Sequence, residues 1–153
     1  MSHKPTPDQG TQESEGCPFC AIARGEDDSV EIVCEGSSWV AFFPIAPATP
    51  GHTLVIPRQH VPDLWSADAA LARELTGAVV KVGDAVWDAV EPEGMNLISS
   101  AGEAAEQTVF HLHLHLVPRW ADDRLDIWPP KRSMAPQLKA DLAGAVRAAC
   151  AGE

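Results

Sequence analysis

The chain has 153 residues, 45% of them hydrophobic and 22% charged, the make-up of one ordinary globular domain with a modest extension. A formal charge of −11 excludes a surface that coats DNA or RNA, which needs a basic face, but not a small phosphorylated ligand held by a few local donors. No apolar run approaches the roughly 18–20 residues that span a bilayer, so no membrane partner is expected.

The first sixteen residues, MSHKPTPDQGTQESEG, lack the apolar core of a signal peptide and read as a disordered tail, in which His3 carries no role. The folded part opens at Cys17-Pro18-Phe19-Cys20, and Ala21 to Arg24 makes a short helix ended by Gly25. Without a secretory signal the expected compartment is a reducing cytoplasm, where a CxxC pair is half of a tetrahedral zinc site rather than a disulfide. Cys34 and Cys150 stand alone. Val30 to Glu35 and Trp39 to Phe43 read as strands around the turn Gly36-Ser37-Ser38. Pro44, Pro47 and Pro50 force an extended loop, and Gly51 to Pro57 then returns to strand character and brings His52. The clearest helix runs from about Ser66 to Val90. Leu71, Leu75, Val79, Val82, Val86 and Val90 share one of its faces, Ser66 or Asp68 caps it, and Pro92 and Gly94 end it. Asn96 to Ser99 is a short strand and Ala101 to Glu106 a loop.

Next comes the run His111-Leu112-His113-Leu114-His115-Leu116-Val117-Pro118. Strand side chains alternate, so three imidazoles would line one face while Leu112, Leu114 and Leu116 face a core. The plain reading is a solvent-facing strand edge that uses histidine. Two chemical readings compete with it. His113, flanked by two imidazoles, suits a nucleophile toward phosphorus, with Gln107 and Thr108 just upstream to contact a phosphate or leaving group and His52 as a further imidazole. Alternatively, HxHxH on a strand holds a catalytic zinc with an open position. Trp39, Trp65, Trp87, Trp120 and Trp128 read as core or interface bulk. Arg124, Trp128, Lys131 and Arg132 lie in a segment that reads as a surface arm, and Gln137 to Ala149 is a second helix with Leu138, Leu142 and Val146 at helical spacing behind Pro136. Several strands around one long helix predict an α+β fold with a largely antiparallel sheet.

The stretches CPFCAIARGE, PATPGHTLVIPRQHV and EQTVFHLHLHLVPR, in this order and spacing, resemble the histidine triad (HIT) family, in the Hint-like branch that carries an N-terminal CxxC. The resemblance covers roughly Cys17 to Arg119. It implies the HIT fold: a mainly antiparallel sheet with one long helix and a C-terminal helix, the sheet continued across a homodimer. The long helix and an adjoining strand would form that interface, with Ala78 and Ala85 leaving room for close packing. The parts would be a tail at 1–16, the HIT domain at 17–120, and a C-terminal arm and helix at 121–153. The implied activity is hydrolysis or transfer of a nucleoside monophosphate from a phosphoramidate or dinucleoside polyphosphate through a nucleotidyl-histidine intermediate. His113 would be the nucleophile and His115 a phosphate ligand, with His52, Gln107 and Thr108 beside the phosphate. Cys17, Cys20, His60 and His111 would hold one structural zinc per chain, with no catalytic metal. A purine nucleotide is the implied substrate. The alternative is a non-catalytic, zinc-stabilised nucleotide-binding protein.

Three positions depart from the family pattern. Pro44 stands where an acidic or amide residue commonly binds the ribose hydroxyls, Ser100 where many members have asparagine, and Glu106 where glycine usually precedes the glutamine. Ile32, Phe42, Ile45 and Leu54 remain as apolar candidates for a base pocket, with Ser100 beside the substrate.

Overall fold

A computed structural model describes residues 14–152, so the first thirteen residues of the expected tail, with His3, lie outside it. In chain order the regular elements are α1 (Pro18–Arg24), β1 (Glu31–Glu35), β2 (Trp39–Phe43), β3 (Thr53–Pro57), α2 (Ala69–Val90), β4 (Gly94–Ile98), β5 (Leu114–Arg119) and α3 (Pro136–Cys150). The five strands form one antiparallel sheet in the order β1-β2-β3-β5-β4. This is the α+β architecture the patterning predicted, and the hairpin at Gly36-Ser37-Ser38 is where the turn residues put it.

The two faces of the sheet bury different things. Leu71, Leu75, Val79, Val82 and Val86 of α2 pack with Ala41, Val55, Leu112, Leu114 and Leu116 on one face, each buried side chain contributing about 1.5–3 kcal/mol. Ala78 is 3% exposed inside this core, so it is spent within its own chain and is not free to pack on a partner, as the sequence reading had it. On the opposite face Ile22 and Ala23 of α1 cover Val40, Phe42, Leu54 and Ile56. Arg58 ties this layer together: it donates to Gly36 O at 3.2 Å and to Ala23 O, and pairs with Glu35 at 2.5 Å.

Several boundaries move for local physical reasons. Asp68, not Ser66, caps α2, its carboxylate accepting from Leu71 N at 2.8 Å, while Ser66 ends a separate short turn capped by Asp63. At its other end Glu91 takes the left-handed conformation (φ 44°) that a glycine more often fills. The histidine strand is paired only from Leu114: its pairing with β3 stops at Val55↔Leu114, although β3 runs on to Pro57 against β2, and β4 ends at Ile98↔His115. Upstream of that point Leu112 N donates instead to Val61 O at 2.7 Å, in the loop after β3. The leucines still face the α2 core and His111 is fully buried, which rules out a solvent-facing edge.

Candidate active site and metal centre

Register alone builds one wall of the site. Ile32, Phe42, Leu54, His115 and Ile98 are directly paired across all five strands, so they share the face opposite α2. Two residues before Leu54, His52 falls on that same face, and its ring meets His115 with Nε2···Nδ1 at 2.9 Å. The loop that delivers it is set by Gly51 (φ +79°), where any Cβ would also come within 3.2 Å of Val90. Thr49 locks the loop onto β5 by donating to Pro118 O at 2.8 Å.

Hydrogen bonding then assigns a tautomer to each ring. Ala48 N–H donates to His52 Nδ1 at 3.0 Å, so neutral His52 carries its proton on Nε2 and donates it to His115 Nδ1. His115 therefore keeps its own proton on Nε2. His113 is the converse: its Nδ1 lies 2.7 Å from His111 O, a pure acceptor, so Nδ1 holds the proton and Nε2 has a free lone pair. The His113 and His115 rings are 5.0 Å apart. One neighbour thus offers a bare nitrogen and the next an N–H, the two groups needed to attack phosphorus and to hold its oxygens.

Burial keeps these rings neutral. It lowers the pKa of His113 and of His52, and it holds His115, which also faces His113 and His52, down to about 4. A folded value below the unfolded one means that the unfolded chain takes up the proton first, so the stability present above about pH 6.5 is lost as pH falls toward 4. Nitrogen-15 spectra at pH 5.5 should accordingly show His115 neutral and protonated on Nε2, when a free histidine would be mostly imidazolium. An imidazolium His115 at that pH would contradict the relay.

The metal-ligand set comes together behind the triad. Cys17, Cys20, His60 and His111 place one donor atom each within 4.8 Å of one another. Cys20 Sγ lies 3.3 Å from His60 Nδ1 and 3.4 Å from His111 Nδ1, and Cys17 Sγ lies 3.5 Å from the latter. Those separations suit the edges of a tetrahedron with bonds of about 2.0–2.3 Å. His111 Nε2–H donates to Pro57 O at 2.9 Å, which aims its Nδ1 lone pair at the thiols, the usual outer-shell device of a ligating histidine. The donors present therefore fit zinc. Burial beside Cys17 pushes the Cys20 thiol up to about 11 in the metal-free state. Neither His113 nor His115 points a nitrogen at this cluster, so the imidazoles of the HxHxH run do not converge on a common metal position.

The remaining candidates divide. Phe42 and Leu54 are buried in the row beside His115, whereas Ile45 is 81% exposed in the following loop and does not join it. Thr108 borders a cavity of about 520 Å³ shared with Cys17, His60 and Phe110, on the metal side. Gln107 is buried, and its amide is committed to the backbone: Nε2 donates to Pro62 O and Val109 O, and Oε1 accepts from Gly102 N. It braces the loop before the triad instead of reaching toward a phosphate. Glu106 has φ 64°, so the family's glycine there answers a left-handed backbone that costs other residues roughly 1–2 kcal/mol. Ser100 is half-buried just after β4 and makes no side-chain hydrogen bond among the described residues. The segment read as a surface arm lies at the surface, Trp128 being 78% exposed, and its residues Asp126 to Pro129 face Ala104 to Glu106 across an open cavity of about 480 Å³.

Sequence reasoning passed over Phe19, whose ring stands edge-on to His113 at 5.2 Å and to Phe42 at 5.6 Å. Its place between the two cysteines was the available signal: any metal held there fixes Phe19 against the triad. It also passed over Arg119, which forks onto Asp123 at 2.6 and 2.9 Å and reaches Asn96 Oδ1 at 2.9 Å, closing the turn after β5.

The family model for the HIT domain matches residues 25–122. The chain is 39% identical to the protein hit of Bacillus subtilis over 107 residues, 70% of this chain and 73% of that one. It is 33% identical over 103 residues to the adenosine 5′-monophosphoramidase of Schizosaccharomyces pombe, 67% of this chain and 74% of that one. The solved structure of SMU.412c from Streptococcus mutans superposes with a TM-score of 0.85 at 33% identity, covering 98% of this chain and 97% of that one. A zinc-bound histidine triad protein from Mycobacterium smegmatis superposes with a TM-score of 0.64 at 34% identity, covering 88% and 99%. With the matched domain, the antiparallel sheet and the Cys17-Cys20-His60-His111 cluster all in agreement, the chain belongs to the histidine triad (HIT) family.

Proposed function

We propose that this protein hydrolyses or transfers a nucleoside monophosphate from a phosphoramidate or a dinucleoside polyphosphate, through a covalent intermediate on His113. The observation that carries this is the opposed pair of tautomers, a bare Nε2 on His113 next to an Nε2–H on His115. The lone pair of His113 Nε2 attacks the α-phosphorus, and a P–N bond forms as the bond to the leaving group breaks with its electron pair. His115 donates to a non-bridging oxygen throughout, and His52, anchored by Ala48 N–H, keeps that donor in place. Water then cleaves the P–N bond and releases the nucleoside monophosphate. The S. pombe relative named for hydrolysing an adenosine monophosphoramidate supports this chemistry.

Cys17, Cys20, His60 and His111 would hold one zinc, supported by the zinc-bound M. smegmatis relative. Four protein donors close its coordination shell, so the ion supplies folding free energy and no open position for substrate. The direct test of the reaction is a panel of adenosine and guanosine phosphoramidates, dinucleoside polyphosphates and nucleotide sugars, assayed for released monophosphate. Release from at least one class is expected. Tight nucleotide binding with no release from any would favour the non-catalytic binding reading.

Residue 44 should set ribose affinity. Pro44 has neither a side-chain acceptor nor an N–H, and it follows directly on β2, whose Phe42 lines the site wall. A carboxylate there would add charge-assisted hydrogen bonds of about 1.5–3 kcal/mol each. Pro44→Asp should therefore lower KM for ribonucleotides by about ten- to a hundred-fold, sharpen discrimination against 2′-deoxy substrates and leave kcat nearly unchanged. Identical kinetics on ribo and deoxyribo substrates in both proteins would show that position 44 does not meet the ribose.

A further inference from the structure

Residues 49–52 follow the type II turn pattern: Pro50 is second, Gly51 third at φ +79°, and His52 N donates back to Thr49 O at 3.1 Å. This turn carries one hydrogen-bond path to the triad. Ala48, just before it, donates N–H to His52 Nδ1 at 3.0 Å, and the ring of His52 donates to His115 Nδ1 at 2.9 Å. Proline and glycine fix the inside of the turn. They do not fix its place against β5. Pairing of β3 with β5 stops at Thr53↔Leu116, and Pro118, two residues on, has no N–H for a further rung.

Thr49 fills that gap. It is 7% exposed, and its Oγ1 donates to Pro118 O at 2.8 Å, joining segments 69 residues apart. Among the described residues this is the one side-chain hydrogen bond, outside the His52–His115 pair, that ties residues 47–52 to β5. Thr53 is fully buried too, but its Oγ1 donates to Gly51 O at 2.8 Å and so serves the turn alone.

The protons along this path have two possible orders. With Ala48 N–H on His52 Nδ1, His52 and His115 both carry their protons on Nε2. In the reverse order both carry them on Nδ1, His115 donates to His52 Nε2, and His115 Nε2 is bare. No proton is gained or lost between the two. Ala48 N–H, which cannot face a second N–H, is the group that excludes the reverse order. We infer that Thr49 is a positioning residue: its hydroxyl, clamped on Pro118 O, holds Ala48 N against His52 and so keeps the donated proton of His115 on Nε2. This rests on the reading that His115 Nε2–H holds a phosphate oxygen. A loosened turn admits the reverse order, and a bare Nε2 repels that oxygen. Since the donor acts on charge that grows in the transition state, the loss falls on kcat more than on KM.

Thr49→Val removes the hydroxyl at nearly constant volume, whereas Thr49→Ser keeps it and removes a methyl group. Nitrogen-15 spectra of the full-length, metal-loaded protein at pH 7 without substrate should show both rings protonated on Nε2 in the wild type and in Thr49→Ser. In Thr49→Val both should shift toward Nδ1–H. Its kcat should fall about three- to thirty-fold, less than the roughly hundred-fold cost of deleting such a donor outright, with KM within about two-fold. Thr49→Ser should turn over at close to the wild-type rate, whatever its Tm. Thr49→Ala, read in the same way, replaces the valine variant if that one does not fold. Unchanged tautomers in the folded variant without the hydroxyl would overturn the inference. So would a kcat that follows Tm across the variants instead of following the hydroxyl. The tautomers are read without substrate, so a chain that releases no monophosphate would sink the reaction reading while the shift still upheld the role of Thr49.

Discussion

Alanine at His113 is expected to abolish turnover, by about three to six orders of magnitude, while fold and metal content stay as they are. The size follows from the position: between His113 and His115, Nε2 of His113 is the one ring nitrogen left with a free lone pair, because His111 O holds its Nδ1 proton and His115 Nδ1 is occupied by His52, while the Nδ1 lone pair of His111 faces the cysteines. His115, with its proton on Nε2, cannot take over the attack without first reversing the relay that starts at Ala48 N. The fold should survive because the core under this strand is made by Leu112, Leu114 and Leu116, on the other face. Metal content should survive because His113 contributes no donor to the Cys17-Cys20-His60-His111 cluster. A rapid-quench measurement should find one equivalent of labelled nucleotide on the wild-type protein and none on the variant. Near-normal hydrolysis by the alanine variant would end the assignment of the nucleophile.

Removing the metal should act the other way, on stability far more than on rate. Protein purified without chelator should contain one zinc per chain by elemental analysis, and Cys20→Ala or stripping by chelator should cost about 3–5 kcal/mol. At the size of this chain that is a fall in Tm of about 6–20 °C. The cost is large because the four donors join three parts of the chain far apart in sequence: α1, the loop after β3 and the segment before β5. It is below the full binding energy of zinc-finger metals because the two sheet faces keep their own cores. The rate should fall only a few-fold. A metal on the cluster would add to the hold that Pro57 O has on the ring of His111, and the carbonyl of that residue fixes the tautomer of His113, so loosening one should loosen the other. Protein free of zinc at full activity and unchanged Tm would remove the structural role. Complete loss of turnover at unchanged Tm would make the metal part of the chemistry.

Much of this was legible in the sequence because it depended on periodicity. A period of two in HLHLHL assigned the leucines to the α2 core, and a period near 3.6 in Leu71 to Val86 assigned the helix that covers them. Proline and glycine between Pro44 and Gly51 marked the loop that carries His52, since their backbone limits hold in any context. What no local pattern could give was the partner of each polar atom. Three imidazoles on one strand read as a nucleophile site somewhat more readily than as zinc ligands, and tertiary contacts gave each ring a different partner. Pro57 O turned His111 toward the cysteines, His111 O left His113 bare at Nε2, and Ala48 N set His115 as a donor through His52. Two of these three anchors are carbonyls and the third an amide, groups that every residue carries and that the sequence therefore cannot distinguish. Gln107 shows the same limit: its side chain suits a phosphate as well as a loop, and backbone groups at Gly102, Pro62 and Val109 claim it. Side-chain pattern determined the layers of this protein, whereas backbone hydrogen bonds between distant segments decided which nitrogen of each histidine carries the proton, because a ring's tautomer is fixed by the one atom it faces.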